Sequence, residues 1–176
     1  ADMVSFGVAP AILAYFLIVR ELPGGDFLHF ATWTLGQQIT AVMPVVIAPF
    51  SAYRLAKFNH DVRQATSFIG MPTPANALFW VCLVFGSYYT PELYMTLFGK
   101  PGVLATSALI LSILLISELP MFSLKISGFG WRENKIRYCY FICLIISAGI
   151  WGKGILIFII PLYILFSVVE ALIKIT

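Results

Sequence analysis

The stretch Ile155–Ile173 reads ILIFIIPLYILFSVVEALI, and Glu170 is its single charged residue. A helix needs about 20 mostly apolar residues to cross the hydrocarbon of a bilayer, within a range near 17–25. Toward the amino end, five more apolar segments follow the same pattern: Arg137–Trp151, Val103–Leu119, Ala75–Tyr89, Ala31–Tyr53 and Val4–Val19. Ala75–Tyr89 and Arg137–Trp151 are short for a span and are expected to borrow flanking residues, Pro91–Phe98 or Glu133–Ile136 among them. No charge falls in the middle of any segment, and none alternates as a barrel strand does. Backbone groups in lipid must then pair within each segment, as helix. The expected fold is an all-α, polytopic transmembrane helix bundle with about six transmembrane helices.

Bulk composition agrees. Of 176 residues, 60% are hydrophobic and 11% charged, against about 45–50% and 25% in a soluble domain. Mean hydropathy is +0.94. The net charge of +3 is dispersed along the chain, which excludes a nucleic-acid footprint. Cys82, Cys139 and Cys143 all sit in apolar runs and read as small buried hydrophobes, with neither metal-finger spacing nor a disulfide framework. No polar stretch is long enough for a second fold, so residues 1–176 read as one membrane domain. Ala1 and Asp2 precede an apolar run without a leader-like basic region. The chain is therefore expected to be the C-terminal portion of a longer membrane domain.

The loops set an orientation. With the amino end on the cytoplasmic side, Arg54, Lys57, Arg63, Lys125, Arg132, Lys135, Arg137 and Lys174 lie inside, and Arg20, Lys100 and Lys153 lie outside. Eight against three follows the positive-inside rule. The outer connections are Leu22–Phe30, Thr90–Gly102 and the tight Gly152-Lys153-Gly154 link. The two inner loops are longer and more polar, as loops that carry function tend to be.

Ionisable groups at a membrane edge are functional candidates because burying charge in lipid is costly. Asp2 directly precedes a helix that contains Pro10. It reads either as a charge favoured by the helix dipole or as a working carboxylate. Most other acids lie in loops, where solvation explains them, and His29 and His60 stand alone.

The run Asp2-Met3-Val4-Ser5-Phe6-Gly7-Val8-Ala9-Pro10-Ala11 closely resembles a segment of the CDP-alcohol phosphatidyltransferase family, in its bacterial phosphatidylserine synthase branch. That family's signature is D-x-x-D-G-x-x-A-R-x8-G-x-x-x-D-x-x-x-D, and in this branch the last Asp runs into V-S-F-G-V-A-P-A. Asp2 matches that last Asp, and the earlier part of the signature is not in these residues. Arg54-Leu55-Ala56-Lys57-Phe58-Asn59, then Phe68-Ile69-Gly70-Met71-Pro72-Thr73-Pro74-Ala75, resembles the branch pattern R-L-A-R-F-N…F-x-G-L-P-x-P-A, with Lys57 in place of Arg and Met71 in place of Leu. A weaker likeness covers Leu119–Tyr138.

The resemblance implies transfer of a phosphatidyl group from CDP-diacylglycerol to the hydroxyl of L-serine, with CMP leaving. It implies Asp2 as general base and as a ligand of Mg²⁺ or Mn²⁺, whose other ligands belong to the missing part of the signature. Arg54 and Arg63 suit a phosphate or the serine carboxylate, for which guanidinium geometry is apt, and equally satisfy the positive-inside bias. Asn59 and Asp61 are candidates for orienting serine. Ser5 and Gly7, one to two turns along the Asp2 helix, either line the site or pack. The resemblance further implies a homodimer in the bacterial inner (cytoplasmic) membrane, its site facing the cytoplasm, and little activity from these residues alone. Two other readings stand beside it. One is a sister enzyme using glycerol phosphate or inositol phosphate; the other is a transporter or membrane scaffold. A transporter calls for broken helices or charges near the midplane.

Overall fold

The computed structural model describes residues 1–25, 27–60, 68–121 and 131–175. The first helix opens as a π-turn, Val4–Val8, in which the Ala9 N–H closes onto the Val4 carbonyl, and continues as α1, Ala9–Glu21. Pro10 follows that turn inside a continuous helix, where its missing N–H leaves the carbonyl four residues back without its usual donor. Thr34 and Gln37 form a reciprocal capping box that starts α2, Leu35–Val42, satisfying two otherwise orphaned donors. A 3₁₀ turn at Met43–Val46, carrying Pro44, leads into α3, Ile47–His60. Three helices in succession, α4 (Thr73–Tyr89), α5 (Pro91–Phe98) and α6 (Pro101–Ile116), have proline in their first two positions, pre-set for helix entry. The last two are α7, Trp131–Trp151, and α8, Ile155–Ile175. Gly152 at φ 54° helps turn the chain between them. There α8 folds back on α7, and Tyr140 Oη–H donates to the Ile159 carbonyl at 3.3 Å.

The all-α bundle expected from the sequence is what forms; the count of six spans is not confirmed. Among the described residues, three stretches are long and apolar enough to cross a membrane: Val4–Glu21, Leu35–Phe58 and Asn134–Ile173, the last of them containing both α7 and α8. A fourth is reached only if α5 and α6, bent by 73° across Gly99 and Lys100, count as one. Pro91–Phe98, expected to lengthen the third segment, is instead a separate helix, because Thr90 leaves helical geometry and Pro91 starts afresh. The fifth segment borrows part of its flank: α7 is kinked at Asn134 (φ −122°, ψ 15°), and its unbroken part starts after that residue.

The central helix is α1, packed on α4 and α6, and its Ala14 and Ile18 are fully buried. Around the bundle, large side chains such as Phe16, Ile110, Ile145 and Leu165 stay exposed. So much apolar surface is what a bilayer, and not water, would cover. At one end of α1, Arg20 pairs with Glu21 at 2.8 Å and donates to Ser87 Oγ of α4 at 3.1 Å. Tyr94 of α5 is buried there, its ring 5.1 Å under the Arg20 guanidinium and its hydroxyl 3.5 Å from the same Glu21 oxygen. This polar knot ties α1, α4 and α5 together.

The crossing of α4 on α8 depends on Gly86. A Cβ there would lie 2.5 Å from Cγ1 and 2.8 Å from Cδ1 of Ile157, itself a buried side chain. Gly86→Ala is expected to destabilise the bundle by about 1–3 kcal/mol through overpacking. Thermal unfolding in detergent measures it, and Ile157→Val in the same chain should recover part of the loss. Equal midpoints for Gly86→Ala and the parent would refute this account of the crossing.

At the other end, β1 (Phe68–Ile69) pairs antiparallel with β2 (Pro120–Met121), in a two-residue register of Phe68 with Met121 and Ile69 with Pro120. Gly70 follows at φ 78°, its N–H bonding the Leu119 carbonyl at 2.8 Å, and the Met71 N–H reaches the Leu114 carbonyl at 2.9 Å. The last carbonyls of a helix have no partner within it, so this clasp serves the end of α6. Lys57 of α3 adds a 3.5 Å contact to Glu118, an exposed pair worth little by itself.

Candidate active site

The clasp delivers the chain into Pro72-Thr73-Pro74, the entry of α4. Those three residues form one wall of an open cavity of about 610 Å³. A second wall is the start of the chain, Ala1, Asp2, Met3 and Phe6. The third is α3, contributing Arg54, Leu55 and Phe58, a spacing that places all three on neighbouring rows of a helix. Asp2 and Arg54, far apart in sequence, thus share one cavity.

Their settings differ. Asp2 is exposed at the mouth. Arg54 is only 3% exposed and lies over the Phe58 ring at 5.5 Å, a cation–π arrangement that suits a guanidinium more than an ammonium. It belongs to a buried stripe of α3, Ile47, Ser51 and Arg54, with i, i+4, i+7 spacing.

The other expected site residues separate. Ser5 is exposed and outside the cavity lining. Gly7 is buried against α3, where a Cβ would fall 3.2 Å from Ser51 Cβ and 3.1 Å from Met3 Sδ. It allows a close helix approach and does not line the cavity. Asn59 is in the last turn of α3, its side chain outside the described set, and Asp61 and Arg63 lie outside the described residues. Thr73, Phe6 and Phe58 line the cavity without having been singled out by sequence. For Phe58 the available signal was its position one turn beyond Arg54.

A Mg²⁺ or Mn²⁺ ion needs several oxygen ligands. Among the described residues no cluster of three His, Cys, Asp or Glu side chains is placed to hold a metal, and Asp2 is the one acid lining the cavity. One carboxylate does not make a divalent-metal site, so the described donor set does not fit the ion by itself.

The chain is similar to CDP-alcohol phosphatidyltransferases. Particular relatives are the CDP-diacylglycerol–serine O-phosphatidyltransferases of two Helicobacter pylori strains, each 33% identical over 116 residues, covering 61% of this chain and 43% of the relative. The enzyme of the same name from Bacillus subtilis is 35% identical over 94 residues, 53% of this chain and 44% of the relative. The chain thus spans less than half the length of the curated relatives it matches. No family model matches it, and no solved structure does. The resemblance read from Asp2–Ala11 and Arg54–Ala75 is borne out, and the sister-alcohol and transporter readings are not favoured.

Proposed function

We propose that this chain is part of an enzyme of phospholipid biosynthesis that transfers a phosphatidyl group from CDP-diacylglycerol to L-serine, giving phosphatidylserine and CMP. The observation that carries the proposal is the shared cavity. It joins the carboxylate of the Asp2–Ala11 run to the buried guanidinium of the Arg54–Asn59 run, and both runs resemble the serine branch.

In this reading the Asp2 carboxylate takes the proton from the serine hydroxyl. The serine oxygen forms its bond to the phosphorus bearing the diacylglycerol, and the bond from that phosphorus to the CMP oxygen breaks. A base must reach the proton it removes, and an exposed carboxylate at a cavity mouth is accessible to a water-soluble alcohol. Arg54 holds negative charge, on phosphate or on the serine carboxylate, in a largely desolvated setting where such a contact is strong. A separate apolar groove of about 490 Å³, lined by Val8, Ala11, Ile12 and Tyr15 among others, is a surface suited to lipid tails.

The divalent ion implied by the resemblance remains part of the proposal as a requirement for turnover, with Asp2 as one ligand. The positive-inside bias supports a cytoplasmic orientation of the Asp2 end, in a bacterial inner membrane. A homodimer follows from the resemblance alone.

Serine incorporation tests the reading. The full-length enzyme in detergent, given CDP-diacylglycerol, labelled L-serine and Mg²⁺ or Mn²⁺, is expected to form lipid-soluble label and equimolar CMP. EDTA should stop the reaction and added metal restore it. Turnover with glycerol phosphate or inositol phosphate in place of serine would overturn the assignment of the alcohol.

A further inference from the structure

Hydroxyls inside the helices of this chain mostly return to their own helix. Thr40, Thr96, Thr106, Ser147 and Ser167 each donate to the carbonyl four residues back, the usual local solution for Ser and Thr. Ser51 departs from it. Fully buried, its Oγ–H donates instead to the Phe6 carbonyl at 3.2 Å, across 45 residues of sequence.

The chemistry of the neighbouring helix explains the exception. Pro10 has no N–H to give to the carbonyl four residues before it, which is that of Phe6. A carbonyl inside a bundle needs a donor, and Ser51 supplies one. Gly7 makes the approach possible, since a Cβ there would press on Ser51 at 3.2 Å. The same residues form the π-turn Val4–Val8, a feature often found at working sites. Ser51 lies three residues before Arg54 on the buried stripe of α3, and Phe6 lies four after Asp2. Arg54 and Phe6 both line the cavity, whereas Ser51 does not.

We propose that Ser51 is a positioning residue, whose bond to the Phe6 carbonyl sets the turn bearing Asp2 against the helix bearing Arg54. The inference rests on the cavity being the site of phosphatidyl transfer. Ser51 acts through the backbone of its neighbour and touches no reacting atom.

The test uses the full-length enzyme and Ser51→Ala. The expected result is a kcat lower by on the order of tenfold, since small misplacements of a reacting group are costly. KM for both substrates should stay within about twofold, the mark of a loss confined to the transition state. In an Asp2→Glu background, whose own carboxylate is already displaced, adding Ser51→Ala should cost less than about twofold, because residues acting as a unit are not additive. Amide exchange gives a readout free of activity: peptides covering residues 2–10 should exchange faster in Ser51→Ala, with α4 and α6 unchanged. Unaltered exchange over residues 2–10 would overturn the proposal. So would a kcat loss matched by faster exchange in every helix, or full additivity with Asp2→Glu. Absence of serine transfer by the parent enzyme would sink the reading of the cavity, and the exchange experiment would still decide the role of Ser51.

Discussion

Replacing Asp2 by Asn is expected to lower kcat by two to four orders of magnitude, the usual span for removing a general base. Asn keeps the size and hydrogen-bonding reach of the side chain but cannot accept the proton. Arg54 is untouched by the change, so substrate affinity should hold better than turnover. The fold should also survive, because Asp2 is exposed and exposed substitutions typically move stability by about 0.5 kcal/mol or less. Labelled-serine incorporation measures the effect, with thermal unfolding of the same preparation as the control. A variant that keeps activity within about threefold of the parent would remove Asp2 from the centre of the mechanism.

The second large effect is on stability, and it falls on Gly70→Ala. The residue sits at φ 78°, where a side chain is strained, and an added Cβ would lie 2.6 Å from the Ser117 carbonyl oxygen and 2.9 Å from that of Leu115. The Leu115 oxygen belongs to the last turn of α6 and the Ser117 oxygen to the residue that caps it, so both are held by the end of that helix. Strain and collision together are expected to cost about 2–4 kcal/mol, read as a lowered thermal midpoint. Turnover should fall as well, because Pro72-Thr73-Pro74 follows the clasp directly and lines the cavity. Gly102→Ala is the internal control: a Cβ there meets nothing within 4 Å, and alanine favours helix over glycine. If the two variants unfold at the same temperature, the clasp does not hold the end of α6 as described.

Those two positions show what the sequence yields and what it withholds. The helical membrane class is legible because apolar runs and the scarcity of charge leave no soluble alternative. Asp2 and Arg54 are legible because charge beside apolar helix calls for a reason, and the surrounding runs resemble a known family. Gly70 stands in one of those runs, yet its function as a clasp depends on carbonyls of α6 more than forty residues later. The bond from Ser51 to Phe6 is hidden for the same reason: a serine in an apolar helix usually serves its own carbonyls, and its partner is chosen by a proline on another helix. Hydropathy does not register a bend, which is why Pro91–Phe98 reads as an extension of the third segment although it is a separate helix, turned 73° against α6 across Gly99 and Lys100.

The polar knot of Arg20, Glu21, Ser87 and Tyr94 lies at the far end of the helix that begins beside Asp2. At about 1.5 Å per residue, the 18-residue stretch Val4–Glu21 is roughly 27 Å long. The knot holds the end of that stretch opposite Asp2. A tilt of about 5° there would carry the Asp2 end through roughly 2 Å, more than the misplacement of about 1 Å that can cost a reaction a hundredfold. Ser87 and Tyr94, which hold that end without lining the cavity, therefore bear on where the Asp2 end comes to rest.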